Sequence, residues 1–224
     1  MIKAVLFDLD GTLLNRDESV KKFIDNQYDR LIEVVGHIPK ELYCTRFIEL
    51  DSRGYVWKDK VYEQLVHEFE ITGLNSEDFL QDYINEFSNH CVSFPNLHNM
   101  LQELKDNSFV LGMITNGYGQ FQLDNIKALN IEHYFNTLLI SEWENMKKPN
   151  PKIFEKALKE LNVQPHQSVF IGDHPENDIE ASKNVGMIGI WKKDFQWNKV
   201  DADFIIDDLM EVPTIIKEIN NVKS

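Results

Sequence analysis

Four short segments carry residues able to do chemistry: Asp8-Leu9-Asp10-Gly11-Thr12, Thr115-Asn116-Gly117, Lys147-Lys148-Pro149-Asn150-Pro151, and Gly172-Asp173-His174-Pro175-Glu176-Asn177-Asp178. In the first, a glycine turn after two nearby acids leaves both carboxylates around one crevice. Such a crevice, outside the carboxyl end of a strand, is where open α/β sheets bind ligands. In the second, a hydroxyl, an amide and free backbone N–H groups can cradle an oxyanion. In the third, a lysine precedes a helix start marked by Asn-Pro, so its charge adds to a helix dipole that favours anions. In the fourth, Asp173 and Asp178 lie on a loop entering a helix and suit a hard cation if other carboxylates are close. Each segment alone also fits an ordinary role: solvated acids, an Asn-Gly turn, a basic surface spot, helix-capping Asp and Asn. His174 reads as an exposed loop histidine and is left out of the site.

The elements that must position these segments are short apolar runs: Ile2–Phe7, Phe109–Ile114, Thr137–Ile140, Ser168–Ile171, Met187–Trp191 and Phe204–Ile206. Runs this apolar suit strands buried on both faces. Helical stripes separate them, such as Leu97/Met100/Leu101/Leu104, Phe121/Ile126/Leu129 and Ile153/Phe154/Ala157/Leu158/Leu161. A further helix is expected from about Asn177 to Val185, ended by Gly186. The alternation predicts an α/β fold, a Rossmann-like parallel sheet with helices on both faces. All four chemical segments then leave the carboxyl ends of different parallel strands, where open α/β sheets bind ligands. The interval between the first two strand runs is far longer than a crossover needs and contains only helical stripes. It predicts an inserted α-helical domain over residues 15–93, with the core formed by 1–14 and 94–224.

Composition narrows the function. Among 224 residues, 42% hydrophobic and 11% aromatic content is ordinary globular material. The net charge of −14 repels nucleic-acid backbones and anionic lipid. No apolar stretch reaches the length of a membrane span. Cys44 and Cys91 are too few and too far apart for a disulfide framework or a thiolate zinc site. A cytoplasmic enzyme acting on a small molecule is expected, as monomer or homodimer.

Taken together and in this order, the four segments closely resemble the haloacid-dehalogenase-like phosphohydrolase superfamily. The match lies in Asp8-x-Asp10-Gly11-Thr12, Thr115-Asn116-Gly117, Lys148-Pro149, and Gly172-Asp173 with Asn177-Asp178, and the insertion resembles the family's helical type-1 cap. The resemblance implies a Mg²⁺-dependent phosphatase that cleaves a small phosphate monoester (nucleotide, sugar phosphate or phospho-acid) through an aspartyl-phosphate. It makes Asp8 the nucleophile and Asp10 the general acid and base. It gives Thr115, Asn116 and Lys148 to the substrate phosphate, and gives Asp8, the backbone carbonyl of Asp10, and Asp173 to the metal. Asn177 and Asp178 orient those ligands. In the cap, Arg46, Arg53 and Lys58 are candidates for selecting the leaving group, beside the alternative of an ordinary cap surface. A phosphomutase shares the motifs. A phosphonate hydrolase needs a cap lysine, and a haloacid dehalogenase needs neither an acid at Asp10 nor a metal site.

Overall fold

In the computed structural model, which describes residues 1–222, the six expected strands form one parallel sheet. They are β1 (Ala4–Phe7), β2 (Val110–Thr115), β3 (Thr137–Ile140), β4 (Ser168–Gly172), β5 (Ile188–Lys192) and β6 (Phe204–Ile206), arranged β3-β2-β1-β4-β5-β6. Strand β1 lies between β2 and β4 and all four of its residues are buried, which is why Ala4-Val5-Leu6-Phe7 contains no polar alternation. The chain adds strands first to one side of β1 and then to the other, so a topological switch lies beside β1, where such sheets open a crevice. Two compact units result: Met1–Asn15 with the chain from Ser93 onward, and Arg16–Val92.

The second unit is helical: α1 (Arg16–Arg30), α2 (Ile32–Val35), α3 (Lys40–Asp51), α4 (Lys58–Glu68) and α5 (Ser76–Glu86). Its interior is aromatic, with Phe23, Tyr43, Phe47, Tyr62, Phe79, Tyr83 and Phe87 all buried. Buried Gln27 satisfies the tyrosine hydroxyls, its Oε1 accepting from Tyr43 (3.2 Å) and Tyr62 (3.0 Å). Asn75 and Asp78 form a reciprocal capping box that starts α5.

In the first unit, α6 (Leu97–Asp106), α7 (Gly119–Ala128), α8 (Ser141–Glu144), α9 (Pro151–Glu160), α10 (Ala181–Asn184) and α11 (Glu211–Val222) accompany the sheet. Ile153, Phe154, Ala157 and Leu158 of α9 join Ala4, Leu6, Ile114 and Phe170 of the strands in one buried cluster. Asn150 caps α9, its Oδ1 accepting from Lys152 N–H at 3.1 Å, and Pro151 occupies the first turn.

Two expectations are refined. The helix expected from Asn177 to Val185 forms, running from Pro175 to Asn184, but its first part, Pro175–Glu180, is π-helical and only the short α10 is α-helical. Ile179 N–H bonds back five residues to the His174 carbonyl at 3.3 Å, a widened turn of the kind found at functional sites. Of the stripe expected on α7, Ile126 and Leu129 are buried but Phe121 is only half-buried, and Gly119, Gln122 and Asn125 share the inner face. Among the described residues, no helix is long and apolar enough to cross a membrane.

Candidate active site

Strand register brings the four segments to one end of the sheet. Phe7 lies level with Met113 on one side and Ile171 on the other, so Asp8, Thr115 and Asp173 follow at the same end. Asp8 N–H extends the ladder by one bond, donating to the Ile171 carbonyl at 2.9 Å. The chain then folds back, with Leu13 and Leu14 N–H both donating to the Leu9 carbonyl at 2.9 Å. Gly11 makes this possible: its φ is +83°, and a Cβ there would stand 2.3 Å from Asp173 Oδ2. Only glycine takes that backbone shape without strain and lets the turn approach the β4 acid so closely.

Lys148 is the electrostatic centre. Its Nζ lies 2.6 Å from Asp8 Oδ1 and 2.6 Å from Asp178 Oδ1, with the side chain only 3% exposed. Its backbone is gripped by Asn116, whose Oδ1 accepts from Lys148 N–H at 2.9 Å and whose Nδ2 donates to the Lys148 carbonyl at 3.0 Å. Asn116 was expected on the phosphate; its amide here meets the N–H and the C=O of one residue, Lys148, which satisfies its donor and acceptor together. Asp178 Oδ2 accepts from His174 N–H at 2.9 Å, and the π turn is what carries this acid back to the lysine. His174 is also no idle loop residue: its Nδ1 accepts from Glu176 N–H (3.2 Å) and Asn177 N–H (3.1 Å), capping that turn. Asn177 is half-buried within it.

The acids outnumber the cation. Burial pushes the Asp8 carboxyl up to about 7 against the lowering pull of Lys148, and Asp178 and Asp10 add to the rise. Burial, then Asp8 and Asp178, hold Asp173 well above the usual carboxylate range. Burial alone would favour a neutral Lys148, but Asp178 and Asp8 outweigh it and keep the ammonium charged. Asp8, Asp173 and Asp178 each offer an oxygen, all within 4.8 Å of one another. An all-oxygen donor set with Asp8 and Asp178 buried and Asp173 partly exposed, short of positive charge, fits a hard divalent cation such as Mg²⁺. Asp178 thus lies among the converging acids, closer in than the orienting role expected of it.

Asp10 points elsewhere. Its Oδ2 accepts from Gln122 Nε2 at 2.6 Å, and the same nitrogen lies 2.8 Å from Thr115 Oγ1. Gln122 is buried and had no place in the sequence reading. Its one signal is the pair of amides, Gln122 and Asn125, spaced like a helix's inner face.

Each of the three basic cap candidates is paired with a carboxylate of the helical unit. Arg46 on α3 makes a two-pronged pair with Glu68, both contacts at 2.7 Å, and a third contact with Glu49. Arg53 sits in the turn after α3, 3.1 Å from Asp17. Lys58 is 1% exposed and ion-paired with Asp51, which Arg16 also holds at 2.9 Å. Arg46 and Lys58 thus both pair with carboxylates of the helical unit, Arg46 at its surface and Lys58 in its interior.

Comparison with known proteins shows the family. The model of the haloacid dehalogenase-like hydrolase family matches residues 5–191. Glyceraldehyde 3-phosphate phosphatase of Pyrococcus furiosus is 28% identical over 229 residues, covering 98% of this chain and 95% of that protein. The crystal structure of a HAD phosphatase from Thermococcus onnurineus superposes with a TM-score of 0.68 at 27% identity, covering 96% of this chain and 98% of that one. A 2-haloacid dehalogenase from Pseudomonas syringae gives 0.64 at 26% identity, covering 97% and 99%. With the family match spanning most of the chain and the motif acids gathered at one sheet end, this protein belongs to the haloacid dehalogenase-like hydrolase family and is an enzyme of its phosphatase branch.

Proposed function

We propose that this enzyme hydrolyses phosphate monoesters of small molecules, with Asp8 as nucleophile, Asp10 as general acid and base, and Mg²⁺ as cofactor. The observation that carries the reading is the Asp8 carboxylate, held 2.6 Å from Lys148 and grouped with Asp173 and Asp178. The metal would be held by Asp8, Asp173 and the Asp10 carbonyl with Asp178 beside them; when bound, it supplies the positive charge that offsets repulsion between a carboxylate and a phosphate dianion.

Asp8 attacks phosphorus, a bond from its carboxylate oxygen forms, and the bond to the leaving oxygen breaks. Asp10 gives its proton to the departing alkoxide. In the second half, Asp10 takes a proton from the attacking water, and the bond between phosphorus and Asp8 breaks to free phosphate. One group serves both halves because they demand opposite proton transfers. The Thr115 hydroxyl, neighbouring backbone N–H groups and Lys148 hold the phosphoryl oxygens as charge redistributes. Asn116 acts through Lys148 by fixing its backbone.

A dehalogenase is disfavoured because halide leaves without a proton, so the acid at Asp10 would have no task. The net charge of −14 favours a small substrate over a nucleic-acid polymer, and two lone cysteines suit the cytoplasm. The test is phosphate release from a panel of nucleotides, sugar phosphates and phospho-acids, with Mg²⁺ and with chelator, alongside Asp8→Asn. Metal-dependent release that vanishes in Asp8→Asn is expected; full release by that variant overturns the assignment.

A further inference from the structure

Gln122 sits where two separate parts of the proposed chemistry meet, and it belongs to none of the four motifs. Its side chain is 2% exposed. Nε2 lies 2.6 Å from Asp10 Oδ2, 2.8 Å from Thr115 Oγ1 and 3.2 Å from the Asn116 carbonyl. At the other end, Oε1 accepts from Asn125 Nδ2 at 3.2 Å. This surrounding decides which way the amide faces. Reversed, Oε1 would meet the Asp10 carboxylate and Nε2 would meet the Asn125 donor, two repulsive contacts in place of two bonds. Room for the side chain is provided by the motif itself: a Cβ on Gly117 would stand 2.8 Å from Gln122 Cγ.

The consequences follow from counting protons. An amide nitrogen has two protons and accepts none. With the two shortest contacts served, Thr115 Oγ1 receives a hydrogen bond from Gln122 and cannot return one to it. The hydroxyl proton is left for another acceptor, which is what a phosphoryl oxygen requires. Likewise the bond to Oδ2 fixes how the Asp10 carboxyl is turned and leaves Oδ1 without a bond to Gln122, able to exchange a proton with the leaving group and with water.

We infer that Gln122 is a positioning residue that aims both the Asp10 carboxyl and the Thr115 hydroxyl, making hydrolysis of esters with poor leaving groups depend on a residue outside the motifs. The inference rests on the assignment of Asp10 as general acid. It is tested by kcat/KM, which reports the first phosphoryl transfer and not the later water attack. The two substrates are p-nitrophenyl phosphate, whose leaving group departs without a proton, and the best alkyl phosphate of the panel, whose leaving group needs one. General acid catalysis is worth about 10²–10⁴-fold, so misaiming the acid in Gln122→Met should cost the alkyl ester roughly 10-fold more than the aryl ester. A side chain with only a packing role would lower both equally.

Asp10→Asn, measured in parallel, separates the two levels. If Asp10→Asn shows no difference between the esters, the acid assignment beneath falls, and this inference with it. If Asp10→Asn discriminates but Gln122→Met lowers both esters equally, or neither, the Gln122 role alone is overturned. Thermal unfolding checks that each variant folds. Gln122→Glu, of the same size, is read by the same criterion should the methionine variant unfold.

Discussion

The Lys148 ammonium lies 2.6 Å from the carboxylate of Asp8, a residue 140 positions away in the chain. One strand end and one helix entrance are thereby tied together at a point where both partners are buried. Lys148 also holds Asp178 at the same distance, so a single cation stands between an acid at the end of β1 and an acid of the π turn after β4.

Replacing that cation therefore has a structural as well as a chemical cost. In Lys148→Met, Asp8 and Asp178 lose their shared partner, and breaking a buried pair costs about 3–5 kcal/mol. Metal-free Lys148→Met is expected to unfold well below the parent, with Mg²⁺ recovering part of the loss. Phosphate release should fall by roughly 10²-fold or more, the scale for removing one preorganised charge-stabilising donor. Melting curves with and without Mg²⁺, beside steady-state rates, check both.

Divalent cation should stabilise the parent protein. At one hundred times its dissociation constant a ligand adds about 2.7 kcal/mol, a Tm rise of roughly 5–10 °C for a chain of this size. Asp173→Asn removes one converging carboxylate and should shrink that rise while leaving the metal-free Tm level or higher. A titration of Tm against Mg²⁺ and against chelator reads it directly.

Asp51 makes a pH prediction away from the site. Burial by itself resists its ionisation, but Arg16 and Lys58 outweigh burial and hold its carboxyl below the ordinary 3.8. A folded value below the unfolded one means the unfolded chain binds the proton more readily. The stabilisation is therefore present above about pH 4 and lost as pH falls through the folded value. Asp51→Ala leaves Lys58 and Arg16 without that carboxylate at neutral pH and should lower Tm by on the order of 10 °C. Its Tm should fall less steeply than the parent's under acid, which melting across pH 3–6 would show.

Gly11→Ala probes the turn. Its added Cβ would stand 2.3 Å from Asp173 Oδ2 on a backbone with φ of +83°. Strain at such a residue costs about 1–3 kcal/mol, and relief requires Asp173 to move. Activity is expected to fall and the Mg²⁺-induced Tm rise to shrink together; a fall in Tm with metal response intact would mean the turn yields instead of Asp173.

The strands, their parallel order of use and the four chemical segments were legible from the chain alone, because they rest on local patterns. Runs such as Ala4-Val5-Leu6-Phe7 declare burial on both faces, and acids, hydroxyl and lysine directly after such runs must emerge at the sheet's carboxyl end. Tertiary structure alone decided which atoms meet there. Gln122 lies in a helix whose apolar pattern pointed to Phe121, and its partners Asp10 and Thr115 come from two different strand ends. Asn116 turned to the Lys148 backbone, and Lys58 settled on Asp51, because buried polar groups must be satisfied by whatever neighbour the packing supplies. The π turn that returns Asp178 to Lys148 is a matter of one carbonyl, that of His174, accepting from a residue five ahead. Spacing declares what a segment can do; only the meeting of distant side chains in three dimensions decides which proton each one holds.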